Sequence, residues 1–286
     1  MRRHGDQRDK ERDLPLAVVM GGAGGLGLAT VRRLGQNHAV IIADLDGARS
    51  EALADELHVE GYVVEAIPCD VTSAASVTEL FRRVGERGPL RTLANVVGLS
   101  PIAGDWRAIM SVNLTGAARA LEAALPIFAP GGAAVLISSI AAHNAKPDAA
   151  MKAALERPLA KDFLQLASKS LGRDLTPLEA YQYSKYGLNR MCRRLASEWG
   201  RRGARIVSVS PGLIRTPMGE REFVNSPIKF DILAATPLPR QCSIMEVMDA
   251  VEFLVSDRAS FITGTDLLVD GGYMGSVEPA PELEPQ

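Results

Sequence analysis

Tyr181 and Lys185 stand four positions apart in Ala180-Tyr181-Gln182-Tyr183-Ser184-Lys185. On a helix, residues at that spacing share one face. The lysine can then set its ammonium beside the tyrosine phenol. A neighbouring cation favours the phenolate and lowers a tyrosine pKa from its reference of about 10. A tyrosine tuned in this way can give or take a proton near neutral pH. This chemistry needs a helix, and the residues upstream write its start. Thr176 can cap, Pro177 suits the first helical position, and Glu179 completes a capping box.

A second group of residues speaks of a cofactor. Leu16 to Met20 is a short apolar run and reads as a buried strand. It feeds into Gly21-Gly22-Ala23-Gly24-Gly25-Leu26-Gly27, and Leu28 to Leu34 then reads as a helix closed by Gly35. Strand, glycine turn and helix form the setting of a dinucleotide fingerprint. Glycines let the backbone approach a pyrophosphate, and a helix N-terminus stabilises its charge. The next strand, Ala39 to Ala43, ends at Asp44. An acid there can accept hydrogen bonds from ribose hydroxyls and repel a 2′-phosphate. No Arg or Lys lies within Gly21 to Gly27, and Leu45 follows Asp44, so the pattern reads as NAD rather than NADP.

These elements belong to a longer alternation. Helices are expected over 49–60 and 73–87, around Asn113, through Tyr181, and over 244–255. Strands are expected at Val63–Ile67, Thr92–Val97, Ala133–Ser138, Arg205–Ser210 and Asp266–Asp270. The alternation predicts an α/β fold, a Rossmann-type doubly wound parallel sheet with its site at the strand C-terminal ends. One domain over 14–275 is expected, with 1–13 and 276–286 as disordered tails.

Composition narrows the classes. The chain has 286 residues, 47% of them hydrophobic, and a formal net charge of −2, so nothing favours a nucleic-acid partner. Cys69, Cys192 and Cys242 form neither a disulfide framework nor a zinc pattern, which suits a reduced, cytoplasmic compartment. No metal constellation is evident among the four histidines. No apolar run reaches membrane-spanning length, and the first thirteen residues lack the apolar core of a secretory signal.

Taken in chain order, the motifs resemble the short-chain dehydrogenase/reductase family over nearly the whole sequence. The glycine turn is Met20 to Gly27, the adenine contact Asp70-Val71, and the strand end Asn95-Val96-Val97-Gly98. Asn113 lies in Ser111-Val112-Asn113-Leu114, Ser139 in Ile137-Ser138-Ser139-Ile140, and Tyr181 with Lys185 fills Tyr-x-x-x-Lys. Pro211, Gly212, Ile214 and Thr216 resemble the segment that holds the nicotinamide carboxamide. The end, Ile262 to Gly272, also matches.

The resemblance implies roles. Tyr181 exchanges the proton with the substrate oxygen. Lys185 binds the nicotinamide ribose and tunes the tyrosine. Ser139, with Ser138 as the alternative, orients the substrate oxygen. Asn113 supports a water that links Lys185 to solvent. The cofactor contacts are Gly21, Gly24, Gly25, Leu26, Gly27, Asp44, Asp70, Val71, Asn95, Gly98, Tyr181, Lys185, Pro211, Gly212, Ile214 and Thr216. The activity implied is NAD-dependent interconversion of a secondary alcohol and a ketone. Alternatives are an NADP-dependent ketoacyl-type reductase and a non-catalytic NAD-binding regulator.

Three departures from the family pattern stand out. Met20 replaces the turn threonine, and Val96-Val97 replaces Asn-Ala; packing of Met20 against Val96 is the expected compensation. The stretch between Ser139 and Tyr181 is much longer than usual, with an insertion at about 143–174. Its pattern predicts a helix from Asp148 to Arg157, then a second with Leu159, Phe163, Leu166 and Ala167 on its apolar face. A similarly placed insertion occurs in the 3α-hydroxysteroid dehydrogenase/carbonyl reductase branch. That likeness, with the apolar 217–240 segment (Pro217, Met218, Phe223, Ile228, Phe230), implies a bulky apolar alcohol or ketone as substrate. The insertion is expected to reshape a pairing surface and border the substrate entrance, giving a homodimer, with a tetramer as the alternative.

Overall fold

The computed structural model describes residues 14–216, 219, 223 and 228–277. The alternating pattern folds as one parallel sheet in the order β3-β2-β1-β4-β5-β6-β7. The strands are β1 (Leu16–Met20), β2 (Ala39–Asp44), β3 (Val64–Pro68), β4 (Leu90–Asn95), β5 (Phe128–Ile137), β6 (Arg205–Pro211) and β7 (Asp266–Val269). Strand order reverses between β1 and β4, where Met20 pairs with Asn95. In such sheets the crevice beyond the strand ends at that reversal receives the ligand.

Both faces are covered, which is why the strands read as continuous apolar runs. One face takes α1 (Gly25–Leu34), α2 (Gly47–Val59) and α10 (Ile244–Val255), through Val31, Leu57 and Val251. The other takes α3 (Ala74–Arg87), α4 (Trp106–Met110), α5 (Ala117–Ala124) and α8 (Pro177–Arg201), through Leu80, Met110, Leu121 and Leu188.

Several elements differ from the sequence reading, each for a visible reason. β4 ends at Asn95, so Val96 and Val97 leave the ladder after one last bond from Val96 N to Met20 O at 3.0 Å. Met20 does not pack against Val96. Side chains alternate across a strand, so Met20 points into one core and Val96 into the other, while Val97 packs on the Met20 side. Asn113 lies not in a regular helix but in a π-helical stretch, Ser111–Gly116, between α4 and α5.

The insertion forms α6 (Ala149–Leu155), capped by Asp148, and α7 (Phe163–Leu171), ended by Gly172 in the left-handed region. Its buried face is Met151, Leu155, Phe163 and Ala167; Leu159 is exposed and Leu166 only half-buried. That face joins the core of its own subunit. Glu156 pairs with Arg190 and Arg194 on α8, and Thr115 Oγ1 donates to the Pro158 carbonyl at 3.0 Å.

Ser276 and Val277, expected to belong to a C-terminal tail, are helical. Tyr273–Val277 is a short helix, α11, and Ser276 Oγ donates to Ala235 O, at the end of α9 (Ile228–Ala235). Residues 1–13 and 278–286, together with Pro217 and Met218, lie outside the described residues.

Candidate active site

The capping box expected for α8 is present: Thr176 Oγ1 accepts from Glu179 N, and the Glu179 carboxylate accepts from Thr176 N at 2.9 Å. It starts a helix of 25 residues, and the i,i+4 geometry does the rest. Lys185 Nζ lies 5.7 Å from the centroid of the Tyr181 ring. Nζ also donates to the Ile137 carbonyl, at the end of β5, at 2.8 Å. Lys185 is 4% exposed, and burial pulls its ammonium down to about 8.

The two serines after β5 are separated by their surroundings. Ser138 is buried; its Oγ donates to the Lys185 carbonyl at 3.1 Å, and its N–H donates to Val209 O. Ser139 is extended (φ −169, ψ 156), caps the 3₁₀ turn Ile140–Ala142, and accepts from Ala141 N at 3.1 Å. Only Ser139 lines a cavity of about 530 Å³ with Tyr181. The cavity wall is mostly apolar, with Pro101, Ile102, Ile140, Leu178, Leu213 and Ile232.

Asn113 is close by but committed. Its Oδ1 accepts from Leu99 N at 2.7 Å, and its Nδ2 donates to Leu99 O at 3.0 Å and to Ser184 Oγ at 3.2 Å. The carboxamide thus ties the chain after β4 to α8. A Cβ placed on Gly98 would lie 3.3 Å from Lys185 Nζ and 3.6 Å from Asn113 Oδ1, so the three converge. The π-helical stretch was not legible in the sequence. Such stretches recur at functional sites because the extra residue per turn re-aims a side chain.

Of the residues expected to hold a nicotinamide cofactor, the glycine turn after β1 and Asn95 on β4 flank the switch point, and the glycine cradle fits such a group. Gly21 has φ +79, and a Cβ on Gly27 would collide with the Gly21 carbonyl oxygen and sit 2.8 Å from Gly22 Cα. A Cβ on Gly25 would meet nothing within 4 Å, leaving room above the N-terminus of α1. That combination of bare backbone and helix N-terminus suits a pyrophosphate. Leu26, in the first turn of α1, is half-buried and packs against the core.

Asp44 is half-buried and accepts from Ala23 N at 3.0 Å, which holds the carboxylate against the glycine turn. Asp70 accepts from Thr72 N at 2.8 Å, and Val71 packs where Gly116 leaves space. Asn95 Oδ1 is buried without a partner among the described residues, so a donor is owed there. Beyond β6, Gly212 N donates to Val269 O, and Gly212, Ile214 and Thr216 reach the cavity wall.

Gln182 and Asn144 also line the cavity. Neither belongs to a spacing pattern, and only the turn after β5 brings Asn144 there. The helices of the insertion do not reach the cavity, although Asn144, at its start, does.

The family model described as short chain dehydrogenase matches residues 15–179. This chain belongs to the short-chain dehydrogenase/reductase family. A second model, described as Enoyl-(Acyl carrier protein) reductase, matches residues 163–274. Short-chain dehydrogenase/reductase bsc3 of Alternaria brassicicola is 31% identical over 90% of this chain and 95% of its own length. D-threitol dehydrogenase of Mycolicibacterium smegmatis is 30% identical over 93% of this chain and 95% of its own. A blue fluorescent protein from a metagenomic library, solved in complex with NADPH, is 26% identical. It superposes with a TM-score of 0.71, covering 91% of this chain and 97% of that one. The seven-stranded sheet and its flanking helices are those of this oxidoreductase family, whose members carry a nicotinamide cofactor. Among the described residues no helix is long and apolar enough to cross a membrane, and no group of side chains could hold a metal ion.

Proposed function

We propose that this protein interconverts a secondary alcohol and a ketone with NAD, acting on a substrate with a largely apolar body. The observation that carries this reading is that Tyr181 and Ser139 share the wall of one apolar cavity, with buried Lys185 behind the tyrosine ring. The nicotinamide would supply or accept the hydride. Tyr181 takes the hydroxyl proton of an alcohol, or gives one to a ketone. Ser139 donates to the same substrate oxygen, where negative charge develops. Lys185 sets a cation beside the tyrosine and, with its proton bound less tightly than usual, can pass it on near neutral pH. Asn113 holds Leu99 and Ser184 and so fixes the loop and helix on either side of Lys185.

Asp44 supports NAD over NADP. Its carboxylate is pinned to the glycine turn, and a 2′-phosphate brought there would meet a like charge. The NADPH complex of the metagenomic protein keeps NADP as the outcome to test against. A second substrate reading, a polyol, is favoured by the carboxamides of Asn144 and Gln182 in the cavity wall and by the similarity to D-threitol dehydrogenase.

The test is a panel of cyclic secondary alcohols, hydroxysteroids and linear polyols, each with NAD and with NADP, followed by absorbance of the reduced cofactor. Turnover of apolar alcohols with NAD supports the proposal. Polyols oxidised at far higher kcat/KM than any apolar alcohol would replace the substrate assignment. No turnover with either cofactor would favour an NAD-binding regulator.

A further inference from the structure

We infer that His143 is a positioning residue, whose bond to Asp266 holds the turn that presents Ser139. The inference rests on the role of Ser139 in the proposed reaction. Asp266 opens β7, and its side chain is only 3% exposed. His143 Nε2 donates to Asp266 Oδ2 at 2.8 Å, and Ser208 Oγ on β6 donates to Asp266 Oδ1 at 2.6 Å. Burial alone would push the Asp266 carboxyl up. Bonds from His143, Ser208 and Ser210 outweigh that and hold it below its ordinary value. An ionised carboxylate only accepts, so Nε2 must carry the hydrogen.

The position of His143 in the chain gives this bond its consequence. Ser139 caps a single 3₁₀ turn, and His143 closes it. Ala142 N donates to Ser139 O and His143 N donates to Ile140 O, each at 3.0 Å, while Ala141 N donates to Ser139 Oγ. The near side of the turn is already anchored: Ser138 bonds to Val209 on β6 and to Lys185 on α8. On the far side, the one side-chain bond of the turn to a distant element among the described residues is His143 to Asp266. Asn144 follows directly, and Ile140, Ala141 and Asn144 all line the cavity. Two anchors on different strands leave Ser139 little freedom to swing. A single anchor leaves the turn free to pivot about Ser138. A misplacement of about 1 Å at a reacting group can cost on the order of 100-fold in rate.

The test is a double-mutant cycle on Ser139→Ala and His143→Ala, with oxidation of the best alcohol of the panel as readout. His143→Ala should lower kcat roughly 10- to 100-fold, leave cofactor affinity within about twofold, and add almost nothing in the Ser139→Ala background. His143→Gln, which can place an amide N–H near the Nε2 position, should recover most of the rate. A second measurement needs no turnover. Amide exchange at Ala142 and His143 should quicken in His143→Ala and return toward wild type in His143→Gln. If His143→Ala does not fold, Asp266→Asn takes its place in both measurements. Additive losses in the cycle, or unchanged amide exchange, overturn the tether. An unaltered rate in Ser139→Ala alone overturns the role of Ser139 instead, and amide exchange still decides the tether.

Discussion

Two turns meet the crevice at the strand C-terminal ends, and they are held in opposite ways. The glycine turn after β1 is built from missing side chains: its backbone folds so tightly that Gly27 has no room for a Cβ beside Gly21. The serine turn after β5 is built from side chains that reach elsewhere: Ser138 to Lys185 of α8 and His143 to Asp266 of β7. The first turn is a property of about seven consecutive residues, Gly21 to Gly27. The second depends on residues dispersed over the whole second half of the chain. A backbone cradle suits a ligand that binds through phosphates. A side-chain scaffold suits a group that must be aimed at one atom.

The comparison makes its largest claim at Tyr181. Tyr181→Phe should lower turnover on the order of 10²- to 10⁴-fold while the cofactor still binds. The ring still packs, and only the exchangeable proton is lost. Titration of cofactor fluorescence beside steady-state rates separates the two; a variant keeping half its rate would remove Tyr181 from the chemistry.

Lys185 offers the next effect, read as stability. Burial lowers its pKa in the folded protein from 10.5 to about 8. Between those values the unfolded chain holds more protons, so the stability carried by this group rises with pH over that window and is flat below it. Thiols of the unfolded chain titrate in that window too, so the measurement is the difference between wild type and Lys185→Met. The advantage of the methionine variant should shrink by roughly 3 kcal/mol between pH 8 and pH 10.5 in denaturant titrations. A constant difference would mean that burial does not perturb the lysine.

The glycine turn should fail differently. Gly27→Ala forces the backbone of the turn apart and should cost about 1–3 kcal/mol, with cofactor affinity falling alongside stability. At saturating cofactor the rate per folded molecule should stay near wild type. A fall in kcat with cofactor affinity intact would break the division of labour between the turns. The smallest effect is at Asp44. Asp44→Ala should weaken NAD severalfold and narrow its advantage over NADP. Tighter binding of NADP than NAD by the unmutated protein, in the same titration, would refute this reading of the ribose edge.

Residues close in sequence determined much of this protein. The glycine turn, the capping box of α8, the i,i+4 pair Tyr181 and Lys185, and the alternation that makes a parallel sheet all rest on steric and hydrogen-bonding rules over a few residues. The insertion was legible as two helices for the same reason. Its buried face was legible in part: Phe163 and Ala167 enter the core as expected, whereas Leu159, which lies before α7 begins, is exposed and Leu166 is only half-buried. The expectation of a homodimer supported by the insertion loses part of its motive, since that apolar face is already covered by its own subunit.

Tertiary structure alone decided the rest. It set Ser139, the serine preferred from the resemblance, on the cavity wall and tied the alternative, Ser138, to the Lys185 carbonyl. It parted Met20 from Val96, because the end of β4 sets which core each side chain enters. It placed Asn113 in a π-helical stretch whose carboxamide is spent on Leu99 and Ser184. It also joined His143 to Asp266, 123 residues apart. A hydrogen bond at that separation leaves no local pattern. It exists because β5, β6 and β7 lie side by side, and a buried carboxylate must find donors among whatever the neighbouring strands and loops bring to it.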